Sequence, residues 1–140
     1  MMNTTKTIFS ILIGLIIWDV FTTYYGTISI FTGTGVNIFQ KLGNAPIAVQ
    51  AVSLVFSVGL ITFILCYKYI LSANNFITKA TLFIAFVYDF GTSIYGTASA
   101  LGVIGSHTST PAMWAIILLT AIMSTGAPLL LHQVKEGLGE

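Results

Sequence analysis

Arginine is absent from this chain, lysine occurs five times, and only 6% of its 140 residues are charged. A soluble surface needs roughly a quarter of its residues charged, so a water-facing exterior is excluded. Five scattered lysines and a net charge of +1 also exclude a nucleic-acid partner, because phosphate binding needs clustered cations. One cysteine, Cys66, rules out an intrachain disulfide and any cysteine-based metal site; it reads as a small buried hydrophobe. Two histidines, His107 and His132, fall at opposite ends of the predicted spans and form no shared metal site. No nucleophile elbow, phosphate-binding glycine loop or helical His pair is present, and the only carboxyls beyond Asp19 and Asp89 are Glu136 and Glu140 in the tail. Catalytic chemistry, a metal and a cofactor are therefore not expected.

What is abundant is apolar residue: 56% of the chain, with a mean hydropathy of +0.95. The lipid bilayer is the expected solvent. Four stretches are long enough to span about 30 Å of hydrocarbon at about 1.5 Å per residue, namely Thr7 to Phe31, Ala45 to Tyr67, Ala80 to Val103 and Pro111 to Leu131. The first could pass for a signal peptide, with Lys6 before the run Ile8 to Trp18, but Asp19 ends that run with no Ala-x-Ala-like site after it. It is expected to be a retained helix.

The connections fit this division. Gly33 to Asn44 reads as a loop whose middle, Val36 to Leu42, has the pattern of an interfacial helical turn. Ser72 to Thr78, with Asn74 and Asn75, is the second connection, and Gly105 to Pro111 the third, with Pro111 suited to the first helical position. Lys6, Lys68, Lys79 and Lys135 lie on one side of the resulting bundle and Lys41 alone on the other, which places both termini in the cytoplasm. Tyr67, Tyr69 and Trp114 fit interfacial anchors. The tail after Leu131 reads as short and polar.

One stretch recurs. Asp19 to Thr27 reads Asp-Val-Phe-Thr-Thr-Tyr-Tyr-Gly-Thr, and seventy residues later Asp89 to Thr97 reads Asp-Phe-Gly-Thr-Ser-Ile-Tyr-Gly-Thr. The chain is thus expected to be a single domain, 1–140, of two parallel two-helix repeats, 1–71 and 72–140, making an all-α bundle of four transmembrane helices. An offset of 67 further pairs Ser57 with Ser124 and Lys68 with Lys135. At helical spacing, one face collects Asp19, Thr22, Thr23, Gly26 and Thr27, and the equivalent face Asp89, Thr92, Ser93, Gly96 and Thr97.

An acid in a lipid-spanning helix costs about 2.5–3.5 kcal/mol at the helix centre, so its repetition needs an explanation. The rise from Lys6 to Asp19 and from Lys79 to Asp89 is roughly 15–20 Å, which sets both acids near the midplane. Three readings compete. In the first, Asp19 and Asp89 bind or conduct a proton or small cation, with Thr22, Thr92, Thr27 and Thr97 as neutral oxygen ligands; an apposed pair would share one proton and titrate as a unit. In the second, the stripe is a helix-packing interface of a scaffold or accessory subunit, in which Gly26, Gly96, Thr23 and Ser93 let backbones approach and a protonated Asp acts as glue. In the third, an Asp pairs with a partner's cation. Tyr25 and Tyr95, off the acid face, are expected to anchor the helices to their neighbours, and Ser124 to Pro128 to kink the last helix. Four helices leave no room for a pore within one chain, so a homo-oligomer or a subunit of a larger complex in the plasma (inner) membrane is expected, with Gly14, Gly59, Gly102 and Gly126 as points of close approach.

Overall fold

The computed structural model describes residues 4–32, 45–104 and 109–137, and these are helical throughout apart from short connections. Five helices follow one another: α1 (Thr4–Thr32), α2 (Ile47–Leu65), α3 (Tyr67–Ser72), α4 (Phe76–Ala100) and α5 (Pro111–Gly137). No strand occurs among the described residues. The Gly33 to Asn44 loop with Lys41 and its Val36 to Leu42 turn, His107, and Glu140 lie outside the described residues. Three helices, α1, α2 and α5, are long and apolar enough to cross a membrane, as expected of a small membrane protein. At 25 residues, α4 has the length, but its run of Asp, Thr, Ser, Tyr and Gly leaves it without an apolar stretch as long as those of the other three.

The helix ends follow from local chemistry. The second apolar stretch, expected to run unbroken from Ala45 to Tyr67, is a helix only from Ile47 to Leu65. At Cys66, with φ −83° and ψ 11°, the chain turns, and its N–H is shared between the carbonyls of Thr62 and Phe63. Such bifurcated bonding tightens the last turn of a helix, and α3 then starts on a new axis. Cys66 itself is exposed, not buried as its type suggests, because it lies off the face of Ser57, Ile61 and Ile64 that packs into the bundle. Asn75 caps α4, its Oδ1 accepting from the Ile77 N–H at 2.9 Å. That helix therefore starts four residues before Ala80.

The other end of α4 is a Schellman turn: Val103 N–H donates to Ala98 O at 2.9 Å and Gly102 N–H to Ser99 O at 3.0 Å. Gly102 holds φ +68° there, a conformation costly for a side chain bearing Cβ. Its role is to end the helix, which accounts for it without the helix contact expected of it. Val103 and Ala98 pack on Ile117 to complete the motif's apolar contact. α5 begins at Pro111, as the sequence indicates, with the Thr110 hydroxyl accepting from the Met113 N–H at 3.3 Å. It continues through Pro128 and past Leu131 to Gly137, so the described part of the polar tail, residues 132–137, is helical. There Glu136 pairs with Lys68 of α3, and Tyr67 meets the His132 ring edge-on.

α1 packs against α2, α4 and α5, and α4 against α1 and α5. The bundle is polar inside and apolar outside. Ile17, Val55, Phe83 and Leu119 are exposed, whereas Asp19, Thr22, Thr23, Ser53, Ser57, Asp89, Ser93 and Ser124 have no exposed surface. Contact between α1 and α4 is closest at two glycines. A Cβ on Gly26 would lie 2.8 Å from Thr92 Cβ, and one on Gly96 would lie 2.7 Å from Thr22 Cβ and 2.9 Å from its Cα. Gly14, Gly59, Gly91 and Gly126 have nothing within 4 Å of the same position.

Gly26→Ala and Gly96→Ala should each destabilise the protein by about 1–3 kcal/mol, the usual cost of overpacking. Gly91→Ala should be neutral or stabilising by about 1 kcal/mol through helix propensity. Thermal unfolding in detergent compares the three, and equal melting temperatures for all would show that α1 and α4 do not meet at these glycines.

Candidate functional site

The two recurring stretches face one another across the α1–α4 contact. Asp19 Oδ1 accepts from Ser93 Oγ at 2.5 Å, and Asp89 Oδ1 accepts from Thr23 Oγ1 at 2.7 Å. These bonds are one another's counterparts, since Asp19 and Asp89 are seventy residues apart and so are Thr23 and Ser93. The remaining hydroxyls follow the same rule. Thr22 Oγ1 lies 3.3 Å from Ser93 Oγ, and Thr92 Oγ1 lies 3.3 Å from Thr23 Oγ1. Each also reaches the backbone carbonyl of its own aspartate, Thr22 to Asp19 O and Thr92 to Asp89 O, both at 3.0 Å.

Proton counting fixes the direction of this network. A hydroxyl carries one hydrogen, and Ser93 spends its hydrogen on Asp19 and Thr23 on Asp89. Thr22 and Thr92 have the backbone carbonyls of Asp19 and Asp89 at 3.0 Å as acceptors for their single hydrogens, so their 3.3 Å contacts with Ser93 and Thr23 are the weaker alternative for the same hydrogen. The hydrogens of Ser93 and Thr23 are the ones that point at the Oδ1 atoms. Asp19 Oδ2 and Asp89 Oδ2 are buried and have no donor. The two carboxyls and the Ser124 side chain of α5 are neighbours, and the Ser124 hydroxyl donates to the Ala121 carbonyl at 3.2 Å. As two carboxylates, the pair would hold two oxygens without a protein donor and two like charges, buried together. Like charges so placed do not both ionise readily.

A second ring of contacts surrounds the acids. Trp18 Nε1 donates to Thr97 Oγ1 at 3.3 Å, and Tyr88 OH lies 2.8 Å from Thr27 Oγ1. Because Thr27 gives its hydrogen to Thr23 O at 2.7 Å, Tyr88 is the donor. Trp18 and Tyr88 occupy equivalent positions, immediately before each aspartate. These pairings join an early residue of one stretch to a late residue of the other, so the two stretches are not aligned side by side in register. Tyr25 is fully buried and stacks on Tyr95 with ring centroids 6.4 Å apart. Its hydroxyl is 3.5 Å from Ser99 Oγ, so it packs inside the bundle.

Every residue singled out from the repeat thus lies on the α1–α4 contact or one side chain away from it. Thr22, Thr92, Thr23 and Ser93 form the inner hydroxyls, Thr27 and Thr97 bind the flanking aromatics, and Gly26 and Gly96 set the approach. Reading the repeat from Asp19 onward missed Trp18 and Tyr88. One more residue of alignment would have shown an aromatic with a polar hydrogen before each acid. Ser57 and Ser124 were visible only as a weak match in the second hairpin helices, and Ser53 was missed. Among the described residues no cluster of three His, Cys, Asp or Glu side chains could hold a metal ion. Comparison of the chain with protein-family models, characterised proteins and solved structures yields no match in any of the three.

Ser93→Ala and Thr23→Ala should each cost about 1–3 kcal/mol, because each strips a buried carboxyl oxygen of its donor. Ser10→Ala, at an exposed hydroxyl bonded to its own helix, should fall within about 0.5 kcal/mol of wild type. In a double-mutant cycle read by thermal unfolding, the Ser93→Ala penalty should shrink once Asp19 is Asn. A penalty independent of residue 19 would remove the bond from the account.

Proposed function

We propose that this chain is a small integral membrane protein whose Asp19–Asp89 pair binds and relays a proton or small cation within the bilayer. The observation that carries the reading is the unequal bonding of the two carboxyls. Each has one oxygen held by a hydroxyl from the opposite helix and one oxygen with no donor. A single proton between the bare oxygens would complete the pair and halve its charge. Buried ionisable groups in a lipid-exposed helix mark ion and proton pathways more often than they serve packing. Packing alone is met by Gly26, Gly96 and the hydroxyls, and a neutral Asn would supply interhelical hydrogen bonds without an ionisation cost.

In this reading α4 is a fourth span, held in the membrane because α1 and α5 cover its polar face. Both termini lie in the cytoplasm, and the protein works in the plasma membrane as a homo-oligomer or as a subunit of a larger complex. A second reading has one observation in its favour: the close approach at Gly26 and Gly96 lies on the same stripe as the acids, as in a helix-packing interface. The protein would then be a non-transporting scaffold whose acids act as glue.

Proton, Na⁺ and K⁺ flux in reconstituted liposomes separates the two. Asp19→Asn, Asp89→Asn and the double variant should assemble normally and lose flux; normal assembly with flux absent or unchanged throughout would leave the scaffold reading standing. Topology has its own check in a Cys66→Ala background. A cysteine at Asn74 should be labelled by a membrane-impermeant maleimide only from the cytoplasmic side, and one at Lys41 only from the opposite side. The reverse pattern would invert the orientation, and labelling of both from one side would remove the fourth span.

A further inference from the structure

Pro128 lies inside α5 and is among the most completely buried side chains. Proline has no N–H, so the carbonyl four residues earlier loses its helical donor. That carbonyl belongs to Ser124, which has no exposed surface and whose hydroxyl stands beside Asp19. A third helix thus brings a carbonyl oxygen without its donor to the level of two carboxyl oxygens that also have none. Two buried carboxyl oxygens with no side-chain or backbone donor and a carbonyl that Pro128 cannot serve are together suited to a cation.

Charge selects which cation. With one shared proton the pair carries −1, and with both carboxylates ionised around one monovalent cation it also carries −1. Exchange of H⁺ for a monovalent ion leaves the site's charge unchanged. A divalent ion would change the charge of the site, and calcium in addition wants about six to eight oxygens, more than the acceptors named here. Potassium is matched by larger carbonyl cages. Carbonyls freed from broken or kinked helices are the usual partners of Na⁺ in membrane interiors.

We propose that the Asp19–Asp89 pair holds one Na⁺ in place of the shared proton, with the Ser124 carbonyl released by Pro128 as its ligand from α5. The exchange is balanced: the carboxylic acid gives up H⁺ to the medium, both aspartates become carboxylates, and one Na⁺ enters. The other groups facing the pair do not change charge in this step. The buried polar side chains of α2 and α5 are the neutral Ser53, Ser57, Ser124 and Thr125, and Tyr88 of α4, next to Asp89 in the chain, is engaged with Thr27. This inference rests on the carboxyl-pair reading above, and the test keeps the two apart.

The full-length protein in detergent, in weak buffer without sodium, is titrated with NaCl while a pH dye reads released protons and infrared absorption reads protonated carboxyl. NaCl should release about one proton per chain, with loss of the carboxylic band, while choline chloride should release none. Asp19→Asn/Asp89→Asn should abolish both signals. Pro128→Ala returns an N–H to the Ser124 carbonyl and should raise the NaCl needed for half-release by about tenfold, while the band in sodium-free buffer stays. Pro128→Gly restores the same N–H should the alanine variant not fold, and a NaCl-dependent rise in wild-type melting temperature gives an independent reading. A carboxylic band that NaCl does not alter would overturn the sodium site and leave the carboxyl pair intact. Absence of any band dependent on Asp19 and Asp89 would overturn the pair itself. An unchanged sodium response in the Pro128 variants would remove Ser124 from the site.

Discussion

Two carboxyl groups with no exposed surface, pressed together between α1 and α4, set the terms for the rest of the molecule. An acid removed from water needs donors, and here the donors are the hydroxyls of Ser93 and Thr23, each supplied by the helix opposite the acid it serves. Those hydroxyls reach only if the backbones come close. Gly26 and Gly96 provide that closeness, because a single methyl at either position would collide with a threonine. The inside-out character of the bundle, with hydroxyls within and Ile, Val, Leu and Phe outside, follows from the same need.

The contacts come in reciprocal pairs: Asp19 with Ser93 and Asp89 with Thr23, Gly26 with Thr92 and Gly96 with Thr22, Trp18 with Thr97 and Tyr88 with Thr27. The reciprocity is geometric and not chemical. Ser93 stands where the other stretch has Thr23, and Trp18, which only donates, stands where the other has Tyr88, which donates and accepts. The surroundings differ further, since α5 brings Ser124 to Asp19 while Tyr88 meets Phe56 of α2 edge-on at 5.4 Å. The two acids are matched in their first bond and unmatched beyond it.

Composition was enough to make the chain helical and lipid-facing, because four long apolar runs with so few charges leave little else. The recurrence of Asp-x-x-Thr was enough to mark the stripe, since a costly residue used twice stands out against an apolar background. What the sequence hid was set by single backbone events. The bend at Cys66 has no proline or glycine to announce it, and the one cysteine, whose type suggests burial, lies off the packed face. Gly102 has the same letter as the glycines of the α1–α4 contact, and only its φ of +68° shows that it ends a helix. The continuation of α5 past Leu131 brings Glu136 to Lys68, a partner 68 residues away that no local pattern reveals. In the site, spacing placed the hydroxyls on the acid faces, but which hydroxyl serves which acid depends on how the helices meet, and periodicity within one helix carries no information on that.

The crossed supply of donors has a consequence for the order in which the chain is made. Ser93 is synthesised 74 residues after Asp19, the acid it serves. Until α4 is made, the carboxyl of α1 has no partner hydroxyl, and α4 arrives needing Thr23 as much as Asp19 needs Ser93. α1 alone is apolar enough to cross a membrane, yet each helix has its acid served only when the other docks, so the polar seam is a device of assembly as well as of chemistry.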